Sequence, residues 1–449
     1  MPTKYLIPLL LVCAVWCSAF SGTPPPPDVF AIMAEFDRVT TTSLWPGFAP
    51  QRIPVEIYDG HQTWLFRHPH PPEDFKESAQ HPGVFVVAGR HPSVTANTSI
   101  QLGGVDTATA VLTGNNRQRP RESAALIVHE CFHVFQREHH PKWTADEVDL
   151  FTYPVEDPTL LQNRFMETEA LRRALAAKDS TETACWTSEA VRIRHIRFAG
   201  LPASASAYER GTELNEGLAN YLQIRAAGTA GSFNLPAADF LADAVRLRAY
   251  QTGAALALLL DRLAPGWQTA LDSGAATSLD ELVGKKVYYA AVPCQLGEVA
   301  EASLLVRARN QISALKERRT KLRAAFLSAQ GWQIVVTINP QHPLFPQDFD
   351  PWNIVVLGSS EVLHQRHIKL GSDDGTIEVL DQPSLTLAAG SHPLFNGVRQ
   401  ITITGLKSQP TLQQNGNAIQ VTAAGVQADF RHAAAQTKMR TVKIEVGQP

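Results

Sequence analysis

The segment His129-Glu130-Cys131-Phe132-His133 places two imidazoles four residues apart, with a carboxylate directly after the first. Four residues make about one helical turn, so the histidines share a face. Such a pair holds zinc (Zn2+) through neutral ring nitrogens, and a glutamate in that position takes a proton from water at the ion. The chemistry is hydrolysis of a carbonyl compound, with Glu130 returning the proton to the leaving amine. Five residues match such a pattern by accident in many chains, so context matters. Here the run from Ser123 to Gln136 is apolar on nearly every side, which predicts a buried helix. An unpartnered carboxylate is costly in such a helix, so Glu130 needs a task. Cys131, inside the motif, reads as a small buried core residue rather than a ligand.

A catalytic zinc takes three protein ligands, and two residues compete for the third place. Glu216 lies in Leu214-Asn215-Glu216-Gly217-Leu218-Ala219-Asn220-Tyr221 on a predicted helix. Gly217 and Ala219 are small enough to let that helix approach the histidine helix, and Asn220 is placed to accept the outer N–H of a ligand histidine. His139 is the other candidate, with the spacing of the metzincin pattern HExxHxxGxxH. Gln136 occupies its glycine position, however, and a continuing helix turns His139 roughly 120° from His133. No Met-turn is evident, since Met166 is the only methionine between His139 and the β-rich C-terminus. Glu216 is therefore preferred, with His139 the alternative.

Together, His129-Glu130-x-x-His133 and Asn215-Glu216-Gly217-Leu218-Ala219 resemble the gluzincin metallopeptidases. The nearest likeness is to the zinc aminopeptidases, whose third ligand is the Glu of an Asn-Glu-Gly-Phe-Ala motif. The resemblance implies a zincin-like fold, zinc at His129, His133 and Glu216, Glu130 as general base, and a peptide or protein substrate. It covers two short motifs and the β-then-α order. The chain departs from the pattern in its 83-residue gap between His133 and Glu216, read as inserted helices, and in lacking a Gly-Ala-Met-Glu-Asn segment. Gluzincins supply a downstream Tyr or His to the oxyanion. Tyr250 fills that role best here, with Tyr208 and Tyr221 as alternatives. Arg246 and Arg248 are weighed as binders of a substrate carboxylate and read as surface residues.

These side chains need a scaffold. Residues 29 to about 115 mix short strands and turns. Ile53 to Tyr58, Asp59-Gly60 and Thr63 to Phe66 predict a hairpin, Gly83 to Ala88 a strand, and Thr98 to Leu102 an edge strand. The loop His68-Pro69-His70-Pro71-Pro72 reads as solvated. A helix is predicted with Pro120 in its first turn and Pro141 stopping it, and others over 158–178, 184–199, 205–227, 236–264, 278–284 and 300–328. The basic run Lys316-Glu317-Arg318-Arg319 reads as a solvated helix face. After Gly331, strands are predicted at 332–338, 354–357, 401–404 and 441–446.

The expected fold class is α+β: residues 22–290 form a zincin-like domain, 291–330 a helical linker, and 331–449 a small all-β domain. Residues 1–21 read as a signal peptide, with Lys4 before an apolar stretch and Ala19 and Ser21 at a small-residue cleavage site. That predicts a secreted or periplasmic protein. Such a compartment permits a disulfide, and Cys185 with Cys294 is the natural pair. A net charge of −3 over 449 residues carries no nucleic-acid signature, and no later apolar run reaches membrane-spanning length. A zinc-stabilised binding protein without turnover is the alternative function, as is a β domain that binds sugars or surfaces through Trp332, Trp352 and Phe395. Substrate sequence and oligomeric state are not written in these motifs.

Overall fold

The computed structural model describes residues 28–112, 119–287 and 294–447. The expected signal segment and the domain border at 290 lie outside these residues. The chain is α+β, with an N-terminal β region, a helical middle and a C-terminal all-β region.

The described part begins with a helix, α1 (Val29–Val39), where only strands and turns were expected. The Asp28 carboxylate accepts from the backbone N–H of Phe30 and Ala31 and caps it. Val29, Ile32, Met33 and Phe36 then recur at helical spacing and face the core. β1 (Val55–Tyr58) and β2 (Gln62–Phe66) form the predicted hairpin, its turn held by Asp59 accepting from His61 and Gln62. β3 (Lys76–Glu77), β4 (Val84–Ala88), β5 (Thr98–Leu102) and β6 (Val105–Val111) complete a sheet of order β3-β4-β2-β1-β6-β5. Among the described strands of this sheet, β1 and β6 pair in parallel and the other pairs are antiparallel. β5 is the outer strand next to β6, as its alternating pattern predicts.

α2 (Pro120–His139) lies across this sheet and is followed by α3 (Pro158–Ala176), α4 (Ser180–Ala199) and α5 (Ala203–Thr212). A π turn (Glu213–Gly217) leads directly into α6 (Leu218–Ala227). α7 (Val245–Leu263), α8 (Gln268–Asp272) and α9 (Leu279–Val287) follow. The helix expected from 236 starts only at Val245, because buried Arg164 draws the carbonyls of Phe240, Leu241 and Ala242 out of helical pairing. One apolar core runs from Val29 to Leu296. Cys185 and Cys294 are disulfide-bonded with Cα atoms 5.2 Å apart, tying α4 to the approach of α10 (Glu298–Leu327). α10 packs on α3 through Ala308, Ile312 and Leu315. Its basic run is more than a solvated face, since Lys316 and Arg319 pair with Glu156, and Arg318 with Asp243.

The C-terminal region is a pair of sheets. Its strands are β7 (Trp332–Ile338), β8 (Phe345–Phe349), β9 (Ile354–Val356), β10 (Glu361–His364), β11 (His367–Ser372), β12 (Gly375–Leu380), β13 (Ser384–Ala388), β14 (Val398–Leu406), β15 (Thr411–Asn415), β16 (Ala418–Ala423), β17 (Val426–Phe430), β18 (Ala433–Lys438) and β19 (Thr441–Val446). They are ordered β18-β19-β7-β14-β13-β10-β9 and β15-β16-β17-β12-β11-β8. Alternate residues of both sheets share one apolar core, as period-2 patterning requires. One member of that core comes from elsewhere. Phe151, between α2 and α3, is buried there with its ring 5.6 Å from Phe349 and 5.4 Å from Phe395. Among the described residues no helix is long and apolar enough to cross a membrane.

Candidate metal centre

Pro120 suits the first turn of α2, and the apolar residues after it bury the helix so that His129 and Glu130 are 6% and 5% exposed. One turn apart, the histidines bring their Nε2 atoms to 3.1 Å from each other. Glu216 faces them from the π turn, with Oε2 3.5 Å from His129 Nε2 and 3.2 Å from His133 Nε2. Its other oxygen, Oε1, accepts from Arg246 at 2.8 Å.

The π turn depends on two glycines. A Cβ on Gly217 would lie 2.7 Å from the Gly253 Cα, and one on Gly253 would lie 2.7 Å from the Glu213 carbonyl oxygen. α7 therefore presses bare backbone against the turn. A single π turn shifts the residues within it relative to an α-helix, and here it carries Glu216 at the histidines. Beneath it lies a buried ionic network. Arg194 pairs with Glu167 and Glu213, while Arg197 and Arg248 each pair with Glu167 and Glu209. Thr252 donates to Glu213. Arg248 is thus no surface residue: it is 1% exposed and wholly engaged. Arg246 also leaves the expected surface, pairing with Glu147 and Glu216 at the site.

Gln136 has a part that its sequence context did not suggest beyond its place in a metzincin pattern. Its Oε1 lies 2.8 Å from His133 Nδ1, and accepting an N–H there fixes the ring with Nε2 toward Glu216. Its Nε2 donates to the carbonyls of Leu214 and Asn215 at 3.0 and 2.9 Å. One amide thus orients a histidine and fastens the π turn that carries Glu216. The available signal was its position three residues after His133 on a shared face. Asn220, expected to bond a histidine, donates instead to the Tyr250 carbonyl.

The other candidates separate clearly. His139 stacks on Phe135 at 4.4 Å, its Nδ1 beside the Phe135 carbonyl, and does not meet His129 or His133. The helix continues to residue 139 and rotates it away. Tyr250 stacks on the His129 ring with centroids 6.2 Å apart. Tyr208 donates to Glu147, itself paired with Arg246, and Tyr221 donates to Asp261. Met166 belongs to the core. His68, expected in a solvated loop, is buried against the Leu102 carbonyl.

Burial pushes the Glu216 carboxyl up, but His133 and His129 outweigh it and hold it well below the usual carboxylate range. Burial opposes a charge on His133, yet Glu216 lifts its imidazole to about 9. Glu130 is pushed up by burial, with His129 and His133 opposing. Among the described residues, buried Glu216 Oε2 and His129 Nδ1 lack a hydrogen-bond partner. Two imidazole Nε2 atoms and a carboxylate oxygen within 3.5 Å of one another form a donor set that fits zinc. Glu130 also lies within 4.8 Å of the histidine nitrogens. Both carboxylates, Glu130 and Glu216, thus stand beside the two imidazoles.

The group opens into a cleft of about 1180 Å³ lined by both halves of the molecule. Residues 95–100, including the first part of β5, form one wall, and Asp348 to Asn353 with Arg366 form another. No protein-family model, curated protein or solved structure matches the chain.

Proposed function

We propose that this chain is a secreted, zinc-dependent metallopeptidase of gluzincin type with a zincin-like catalytic half. The observation that carries this reading is the convergence of His129, His133 and the free Oε2 of Glu216 beside Glu130 in an open cleft. When bound at His129, His133 and Glu216, zinc supplies Lewis acidity to a scissile carbonyl and acidity to a nearby water. Glu130 takes the proton from the attacking water and passes it to the departing nitrogen, a role that suits a carboxyl raised by its surroundings. Tyr250, on the cleft wall beside His129, is placed to donate its hydroxyl proton to the developing oxyanion. Arg246 holds Glu216 in place. The cleft exceeds the roughly 300–1,000 Å³ usual for small-molecule sites. With β5 along one wall, it suits an extended polypeptide.

The test is elemental analysis and peptide-library hydrolysis on the full chain, Glu130→Gln and Glu216→Ala. The expected result is about one zinc per wild-type chain and loss of zinc in Glu216→Ala. Glu130→Gln should retain zinc with turnover reduced roughly 10²–10⁴-fold. Full hydrolysis by Glu130→Gln would remove the mechanism, and zinc retention by Glu216→Ala would remove the ligand set.

A further inference from the structure

The C-terminal sheets reach the metal site through one side chain. Trp352, in the short turn Pro351–Asn353 between β8 and β9, is 49% exposed, yet it is held on several sides. Its ring meets Tyr250 edge-on at 4.9 Å, and the Arg246 guanidinium lies 5.7 Å from the ring centre. The Asp350 carboxylate accepts from the Trp352 backbone N–H and the Asn353 amide. Arg366 pairs with Asp350 and reaches across the cleft to the Thr95 carbonyl at 2.7 Å. An exposed indole fixed in this way on a cleft wall offers a ready apolar face to an incoming group.

Its chemistry follows from its neighbours. The rings of His129, Tyr250 and Trp352 stand in series from the metal site outward, so the indole is within a side chain's reach of the bond to be cut. Arg246, the cation beneath it, is already neutralised by Glu147 and Glu216. It therefore offers little to a substrate carboxylate, and the Tyr250 and Trp352 rings lie over it. Large flat or branched apolar groups bury the most area there.

We propose that Trp352 is a specificity platform, lent by the β region to the helical half, that takes an aromatic or large aliphatic side chain flanking the scissile bond of a polypeptide. This rests on the peptidase reading.

The test uses full-length wild type, Trp352→Ala and Trp352→Phe with quenched fluorescent peptides carrying Phe, Leu, Ala or Glu at each position around the cut. Wild type should prefer Phe or Leu over Ala at one flanking position by about tenfold or more in kcat/KM, the range one apolar pocket supplies. Trp352→Ala should bring that ratio close to one with zinc content intact, and Trp352→Phe should restore most of it. An unchanged ratio in Trp352→Ala overturns the platform while leaving the peptidase reading standing. Binding of uncut Phe and Ala peptides to Glu130→Gln, with and without Trp352→Ala, separates the two ideas. A preference for the Phe peptide that depends on Trp352, in a chain whose wild type cuts nothing, supports the platform and removes the peptidase. No preference in binding or in cleavage overturns the platform.

Discussion

In the helical middle, Glu167, Arg194, Arg197, Glu209, Glu213 and Arg248 are each at most 2% exposed and bonded to one another. From β7 to β19 the described residues bury no acid, lysine or arginine, and His364 is the one ionisable group inside. Both regions fold around continuous cores, so the charges are not needed to make a core. Buried ion pairs are on balance a weak source of stability compared with apolar packing. Their placement is informative: Glu213 opens the π turn that carries Glu216, and the network grips it through Arg194 and Thr252. The helical half spends polar groups on fixing a carboxylate, and the β half follows plain alternation and lends the cleft a wall.

The sharpest break in this comparison is Arg194→Met. It leaves buried Glu213 without its arginine and takes one of three from Glu167, and should cost about 3–5 kcal/mol in denaturant unfolding. Ile403→Val, inside the β core, should cost only about 0.5–1.5 kcal/mol. Equal costs would mean that the network carries no special weight.

The next contrast is in pH. Burial, with His367 nearby, lowers His364 to about 3 in the folded state. The unfolded chain protonates this histidine near pH 6.5, so stability falls as pH drops from about 6.5 toward 3, by roughly 1.4 kcal/mol per unit. At pH 5 that is about 2 kcal/mol, and His364→Leu should flatten the slope between pH 7 and 5. In the helical half, burial pushes Glu209 up but Arg197 and Arg248 outweigh it and hold it at about 2. Its contribution is complete above about pH 4.3 and is lost as pH falls toward 2. The β half should therefore weaken first on acidification. Urea midpoints at pH 7, 5 and 4 for wild type and His364→Leu decide the order.

Gln136→Ala removes three hydrogen bonds worth about 0.5–1.5 kcal/mol each. Its zinc affinity should fall roughly 10–100-fold, as for other residues that orient a metal ligand. A competitive chelator titration measures it.

Much of this was legible in the residues. Period-2 runs marked Trp332 to Ile338 and Thr441 to Val446 as strands because each buries alternate side chains. The pair His129 and His133 with Glu216 was legible because both motifs are short and local. The rest depended on tertiary partners. Arg248 has the same local sequence whether it meets water or Glu209, so its burial left no periodic trace. The π turn reads as ordinary helix until Gly253 is brought against Gly217. The closeness of Trp352 to Tyr250, some hundred residues away in the chain, has no local signature at all.

The Phe151 plug bears on how this molecule can be divided. Its ring completes the C-terminal core from a stretch of chain almost two hundred residues upstream, and Glu147, on the same stretch, holds Arg246. The two halves are therefore not portable modules. The fragment from 331 onward, produced alone or grafted onto another scaffold, would carry an unfilled hole where that ring belongs. A recombination that exchanged the β half for a foreign domain would have to bring a matching aromatic, or leave the plug bare beside the site.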